Sequence, residues 1–329
     1  MSTAIESRRI QRNLERQEGF FLSVSVIIPT RNRAEILGKT LQAYAKQCGD
    51  HGLLEIFVVD DGSTDQTAHM VEGLRESFPV SLRYIRQEHR GISAARNHGI
   101  REAAGELILF GDDDILPSRS MVAEHVAWHR RNPGENEGVL GSVAWASEMH
   151  PTPFMEWSGL YGPQFNFGRF QPGGEIGVWD SYFCNTSVKL SFLRQNGMFD
   201  EQINEYGWED LELSYRLRQK GYRVWYSQEA YGYHYKYETF QASLNRVLAL
   251  NRSLPSFART EAGKCFIKER AGLVDPPPQK KPMGRRLLRP IKRSVLLVLR
   301  LLFDTQIPFP PRLYEYVFYD YVSRNLSSG

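Results

Sequence analysis

The chain has 329 residues, enough for one large domain or two small ones, and 41% of them are apolar, so a sizeable core can form. With 41 basic against 38 acidic residues the formal charge is +3, which is too balanced for wholesale nucleic-acid binding and leaves room only for a local basic patch. Three cysteines, Cys48, Cys184 and Cys265, show no CxxC spacing, which argues against a disulfide framework or a zinc knuckle and fits a reducing compartment.

Residues 1–19 are rich in Arg, Glu and Gln and lack the apolar segment of a signal peptide. No run reaches the roughly 20 apolar residues of a spanning helix. The expectation is a cytoplasmic protein, at most peripheral on the inner face of a membrane. Residues 24–28 (VSVII) read as a strand buried on both faces, closed by Pro29, Thr30, Arg31 and Asn32. Ile36, Leu37, Thr40, Leu41 and Tyr44 recur at helical spacing. Residues 54–59 (LEIFVV) form a second buried strand, stopped by Asp60, Asp61, Gly62 and Ser63. A helix is predicted over 67–76, with Ser63 or Thr64 as its cap. Residues 82–85 form a third strand, 93–104 a helix, and 107–110 (LILF) a fourth strand that runs into Gly111, Asp112, Asp113 and Asp114.

Strands alternating with helices imply an α/β fold with a parallel sheet and right-handed crossovers. In such sheets ligands sit beyond the carboxyl ends of the strands. Every polar cluster above lies at such an end. The second half is less regular. Residues 141–182, rich in Trp, Gly, Pro and Phe, suggest long loops over a binding face. Helices are predicted over 192–195, 210–220 and 240–259 and a strand over 224–227. A proline-rich linker at 276–282, a basic helix and an aromatic tail follow, and there is no internal repeat.

Three adjacent aspartates at a strand end repel one another, and each raises its neighbours' pKa unless a cation is present. A solvated turn is the plain alternative for an isolated triplet. Mg²⁺ or Mn²⁺ prefers such oxygens and leaves room for substrate phosphates. Residues i and i+2 of an extended segment point the same way, so Asp112 and Asp114 can share a face.

Taken together, VSVIIPTRNR, FVVDDGSTDQT and GISAARNHGIREAAGELILFGDDDILP resemble the nucleotide-binding half of the family-two glycosyltransferases, in order and spacing across 21–117. Gly111 departs from the larger apolar residue more usual there. The resemblance implies the GT-A fold: a Rossmann-like mixed sheet, mainly parallel, flanked by helices, here with a helical C-terminal extension. The domain would occupy 21–255, with a nucleotide-sugar half at 21–117 and an acceptor half at 118–255, between a polar arm at 1–20 and the linker, helix and tail at 256–329. It implies donor contacts from Pro29, Thr30, Arg31 and Arg33. Asp61, with Asp60, would accept the uracil imide N–H of a UDP-sugar, and Arg96 would face the diphosphate. Asp112, Asp113 and Asp114 would be the DxD motif, Asp112 near the ribose and Asp114 on the metal.

Asn185 to Val188, residues 197–201 (GMFDE) and residues 206–213 (YGWEDLEL) resemble later segments of the family, the last of them the carboxyl-terminal part of galactosyltransferase-type members. Asn185 and Trp208 would join the donor site. There a carboxylate of the Glu209–Asp210 pair would deprotonate the acceptor hydroxyl, because a sugar hydroxyl is a poor nucleophile. Asp210 is the expected base and Glu209 a holder of hydroxyls, against the alternative that both merely favour the first turn of a helix. A single displacement would invert the anomeric centre, with Mn²⁺ or Mg²⁺ stabilising the leaving diphosphate. Related enzymes imply His234 as a third metal ligand beside Asp112 and Asp114. Trp145, Trp157, Trp179 and Trp208 are candidates for stacking on sugar or for packing.

Between Asp275 and Asp304 stand eight Lys or Arg and no acid. Arg285, Arg286, Arg289, Lys292, Arg293 and Arg300 fall within about 120° of a helix at 100° per residue. A cationic stripe on an otherwise apolar helix over 285–303 reads as an interfacial anchor on an anionic membrane, or as a contact with its own domain or with a second copy in a homodimer. The expected partners are a nucleotide-sugar and a glycan or lipid-linked acceptor, with no nucleic acid. A nucleotidyltransferase is disfavoured because PTRNRAEIL lacks a glycine-rich phosphate loop, and an oxidoreductase because no GxGxxG follows the first strand. A non-catalytic nucleotide-sugar binder would have no need of Glu209 and Asp210.

Overall fold

The computed structural model describes residues 22–47, 52–203, 207–274 and 289–326, with the backbone alone at 270–274, 289–294 and 324–326. The N-terminal arm, Cys48, Tyr206, the proline-rich linker, Arg285 and Arg286 lie outside the described residues.

The first half follows the predicted alternation. It runs β1 (Val24–Thr30), α1 (Ala34–Ala45), β2 (Leu53–Asp60), α2 (Thr67–Arg75), β3 (Ser81–Arg86), α3 (Ile92–Glu102) and β4 (Leu107–Gly111). These strands lie in the order β3-β2-β1-β4, all parallel. Alternate residues feed two cores. Ile27, Val59 and Phe110 pack on one face of the sheet, and Val26, Ile28 and Leu109 on the other. Both faces are covered, which is why the strands read as continuous apolar runs rather than alternating ones.

The predicted cap of α2 is corrected. Ser63 and Thr64 do not cap it; Asp65 Oδ1 accepts from the backbone N–H of Thr67 at 3.0 Å. Ser63 instead ties the two strand-end loops together, its N–H donating to Asp60 and its Oγ accepting from the Asn32 N–H.

The second half adds β5 (Ile115–Pro117), α4 (Met121–Arg131), β6 (Glu137–Trp145), α5 (Pro153–Leu160), β7 (Glu175–Ile176), β8 (Asn185–Lys189), α6 (Leu190–Asn196), α7 (Glu209–Arg218), β9 (Arg223–His234) and α8 (Phe240–Phe257). Here the sheet becomes mixed. β8 inserts antiparallel between β4 and β6, β6 runs parallel to β9, and β5 and β7 pair antiparallel with β9. Residues 141–182 are less loop-like than expected: they hold the end of β6, helix α5 and β7. Three further helices, α9 (Glu261–Val274), α10 (Arg289–Phe303) and α11 (Pro311–Leu326), complete the chain. α10 and α11 pack on the domain through an aromatic cluster of Phe154, Trp157, Phe240, Phe303, Tyr314 and Phe318.

Candidate active site

The carboxyl ends of β1, β2 and β4 lie on one edge of the sheet. Thr30 pairs with Asp60, and Ile27 with Phe110. This register fixes the loop that carries the three aspartates directly beside the Thr30 loop. Thr30 Oγ1 donates to Asp113 at 2.7 Å, and Thr40 Oγ1 donates to the Asp113 carbonyl at 2.8 Å. Gly111 has a steric reason: a Cβ there would stand 2.8 Å from the hydroxyl oxygen of buried Tyr44.

Each aspartate has a different environment. Asp113 is buried, bonded by Thr30 and 3.3 Å from Arg33 Nε. Burial pushes its carboxyl up to about 6, against the pull of Arg33 and with the push of Asp114. Asp114 receives Arg33 Nη2 at 2.6 Å and lies 3.4 Å from His234 Nε2. Burial opposes its charge, but His234 and Arg33 outweigh burial and hold the carboxyl well below the usual range. Asp112 faces the cleft and meets Arg96 Nη2 at 3.3 Å. Desolvation, then Asp114, Asp210 and Asp113, push its carboxyl up to about 8 against the pull of Arg96.

His234 reaches the aspartates because β9 is long. Its last residue pairs with Ile115 on one side and Trp145 on the other, and the Tyr235 N–H donates to the Asp114 carbonyl at 2.8 Å. The imidazole stacks on Trp145, with ring centroids 5.0 Å apart, and its Nδ1 is buried without a hydrogen-bond partner.

Arg96, expected to face the diphosphate, borders the cleft with its guanidinium already paired to carboxylates. It is 2% exposed, on the inner face of α3, and its guanidinium joins the two halves of the site. Nη1 meets Asp210 at 2.7 Å and Glu209 at 3.8 Å, while Nη2 meets Asp112 and donates to the Phe183 carbonyl at 3.1 Å. The desolvation cost of the cation is outweighed by Asp210, Asp112 and Glu209, so its pKa rises further. Asp210 also accepts from the Phe183 N–H at 3.0 Å. Glu209 turns back on its own turn and accepts from the Gly207 N–H at 2.9 Å. Burial and then Asp210 raise its carboxyl above the usual range.

These groups border a cleft of about 550 Å³. Its floor carries Arg96, Asp112, Glu209 and Asp210, and its walls include Phe165, Trp179, Trp208 and Arg246. Trp208 and Trp179 contribute edges to the wall, yet each indole is fixed by the fold. Trp208 stacks on Phe257 and donates to Ser253, and Trp179 stacks on Tyr215 and donates to Glu269. Trp157 packs inside the aromatic cluster.

Asn185, expected to touch the donor, has its amide engaged within the fold. Its amide is 1% exposed, Oδ1 pairs with His125 Nε2 at 3.0 Å, and Nδ2 donates to the carbonyls of Ala230 and Ser142. It ties β8 to β6, β9 and α4. Asp60 and Asp61 also spend their oxygens within the fold. Asp60 accepts from Ser63 N–H and Tyr84 Oη. Asp61 binds Gln87, His89 and the backbone N–H groups of Arg90 and Gly91, which fills its four acceptor positions. Burial works against the Asp61 charge, and these bonds, Arg90 first, lower its pKa. Arg31 reaches the same cluster through His89 Nε2 at 2.8 Å. Tyr84, Gln87 and His89 were not anticipated. Gln87 and His89 follow the carboxyl end of β3, where the strand-end rule applied to β1, β2 and β4 would have found them, whereas Tyr84 lies within the strand.

The architecture is the GT-A fold. A mannosyltransferase from Pyrobaculum calidifontis, solved in complex with GDP-Man and Mn²⁺, aligns with a TM-score of 0.56 at 18% identity over 91% of this chain and 86% of that one. TarS residues 1–349 of S. aureus, in complex with UDP-GlcNAc, align with a TM-score of 0.52 at 21% identity over 73% and 67%. Residues 25–172 match the family Glycosyl transferase family 2. Validoxylamine A glucosyltransferase of Streptomyces hygroscopicus is 28% identical over 249 residues, 68% of this chain and 58% of that protein. The chain thus spans less than two thirds of that relative's length.

Proposed function

We propose that the protein is an inverting glycosyltransferase that moves a sugar from a nucleotide-sugar to an acceptor hydroxyl. One observation carries this reading: buried Arg96 holds Asp112, at the donor end of the sheet, and Asp210, on a helix from the other half, around one cleft. A non-catalytic binder would have no use for a carboxylate held at that spot.

Asp210 is the base. Its side chain is 18% exposed against 8% for Glu209, so of the two it is the one an acceptor can reach. Arg96 and the Phe183 N–H fix its rotamer, and the attacking hydroxyl gives its proton to the carboxylate. Thr30, Arg33 and Asp113 border the donor, and a nucleobase N–H reaches Asp61 by displacing the half-exposed imidazole of His89. UDP is the expected nucleotide by family resemblance, and the two solved neighbours carry UDP-GlcNAc and GDP-Man.

The residues also fit a divalent cation. Among the described residues no three His, Cys, Asp or Glu side chains converge to hold a metal by themselves. Mg²⁺ and Mn²⁺ sites on nucleotides need only one or two carboxylates, because the phosphates complete the shell. Asp114, with Asp112 and His234, would supply that set, and a cation would offset the burial and the neighbouring carboxylates that raise Asp112. When bound, the ion would act as a Lewis acid for the leaving diphosphate.

The test is a thermal-shift screen of UDP-, GDP- and dTDP-sugars with and without Mn²⁺. Ligand at about 100 times its Kd adds about 2.7 kcal/mol of stability, a shift of several degrees for one donor class, dependent on the metal. If no nucleotide-sugar produces a metal-dependent shift, the proposal fails.

A further inference from the structure

The C-terminal helix α10 carries a face that the catalytic domain does not use. It packs inward through Leu296, 3% exposed, and Phe303, fully buried, which stacks on Phe154 at 6.2 Å. On the other side Val295, Leu297, Val298 and Leu301 are 52%, 52%, 54% and 66% exposed. At 100° per residue these four span about 160° of the helix. A surface helix of a soluble domain turns its polar side outward. This one turns aliphatic side chains outward, and the only polar residue within that arc is Ser294. We infer that this face is an interfacial docking surface that lies on an anionic lipid bilayer.

Two observations select lipid over a protein partner. The exposed side chains are all aliphatic, so they offer area but no directional group, and a bilayer interior asks for none. The segment from 276 to 303 holds eight Lys or Arg and no acid, which complements an anionic surface. No helix among the described residues is long and apolar enough to cross a membrane, so the proposed contact is peripheral rather than spanning. The helix is also coupled to the cleft. Phe240 and Leu244 of α8 pack against the C-terminal helices, while Arg246 and Leu250 of the same helix line the cleft. Resting on the proposed function, the acceptor class this face implies is one carried by the membrane.

The experiment is co-sedimentation of the full chain, without donor or metal, with vesicles of phosphatidylcholine alone or mixed with phosphatidylglycerol. The parent protein is expected to bind the mixed vesicles and to release as salt rises. The triple variant Leu297→Ser, Val298→Ser, Leu301→Ser should lose at least about tenfold in partitioning while keeping its melting temperature, and Leu301→Ser alone should lose less. Equal binding by the parent and the triple variant overturns the inference, as does a parent that ignores anionic vesicles. So does a concentration-dependent dimer in ultracentrifugation that the triple variant abolishes, because the face would then be a self-contact. The donor-dependent thermal shift is independent of all these results, so failure here leaves the glycosyltransferase reading standing.

Discussion

The two halves of the sheet solve the problem of buried charge in different ways. In the first half, carboxylates sit where parallel strands end, and each is matched by a group from an adjacent loop: Asp113 by Thr30 and Arg33, Asp61 by Gln87, His89 and two backbone N–H groups. In the second half the sheet is mixed, and its functional groups come from distant segments. Asp210 opens a helix and His234 ends a twelve-residue strand. The halves meet at Arg96, whose guanidinium reaches carboxylates from both. A local device is enough when strand order follows the chain, whereas a mixed sheet needs one long buried side chain to bring its groups into register.

The comparison breaks most sharply at Asp210. Asp210→Asn keeps the volume and the Phe183 N–H partner but removes the proton acceptor, so turnover should fall by about 10²- to 10⁴-fold with donor affinity unchanged. Steady-state kinetics beside a donor-binding isotherm separate the two, and near-normal turnover would sink the assignment. Arg96→Met comes next. It leaves Asp112, Glu209 and Asp210 without their shared cation, and removing one partner of a buried ionic cluster costs roughly 3–5 kcal/mol. Denaturant melts should show that loss, and Asp112→Asn in the Arg96→Met background should recover part of it.

A third test separates the halves by pH. His125 and His129 lie wholly in the second half, against Ser187 and Asn185. Burial pushes their imidazoles down to about 4 and about 3, with a further push on His129 from His125 and Lys189. The unfolded chain binds protons at these groups near pH 6.5 and the folded chain does not, so their contribution to stability is lost as pH falls from about 6.5 toward 4. At about 1.4 kcal/mol per unit, each accounts for a few kcal/mol. The raised carboxyls of Asp112 and Asp113 titrate in the opposite sense, favouring the fold at low pH. They are common to wild type and His125→Gln, so they cancel in the difference between the two proteins. That difference should shrink as pH drops from 6.5 to 4, and a constant difference would count against the histidines.

Legibility in the sequence follows the same division. The parallel half is readable because its signals are local. Continuous β-branched runs mark strands buried on both faces, and polar residues at their ends mark the ligand edge. The second half is not readable in this way. Nothing in NTSVK says that β8 inserts antiparallel between β4 and β6. Arg96 reads as a surface residue in ISAARNHGI, and only the packing of α3 against the sheet makes it the buried tie. Asn185 is singled out by family resemblance alone, but polar residues also bridge strands, and this one is buried in bonds to α4, β6 and β9. The Phe183 backbone, which holds both Arg96 and Asp210, has no side-chain signal at all.

The smallest expected effect tests whether the second half supplies a metal ligand. His234 lies 3.4 Å from Asp114 and stacks on Trp145, so truncation to alanine would confound ligation with packing. His234→Phe keeps an aromatic ring of similar size on Trp145 and removes the nitrogen. If Nε2 joins the cation in the donor complex, Mn²⁺ affinity measured with nucleotide present should fall about tenfold, near 1.4 kcal/mol, with little change in melting temperature without the metal. If Mn²⁺ affinity holds while stability drops, the imidazole is only a packing partner and hydrogen-bond donor for Asp114. The metal then belongs to the first half alone, and the Arg96–Asp210 pair carries the link between donor and acceptor.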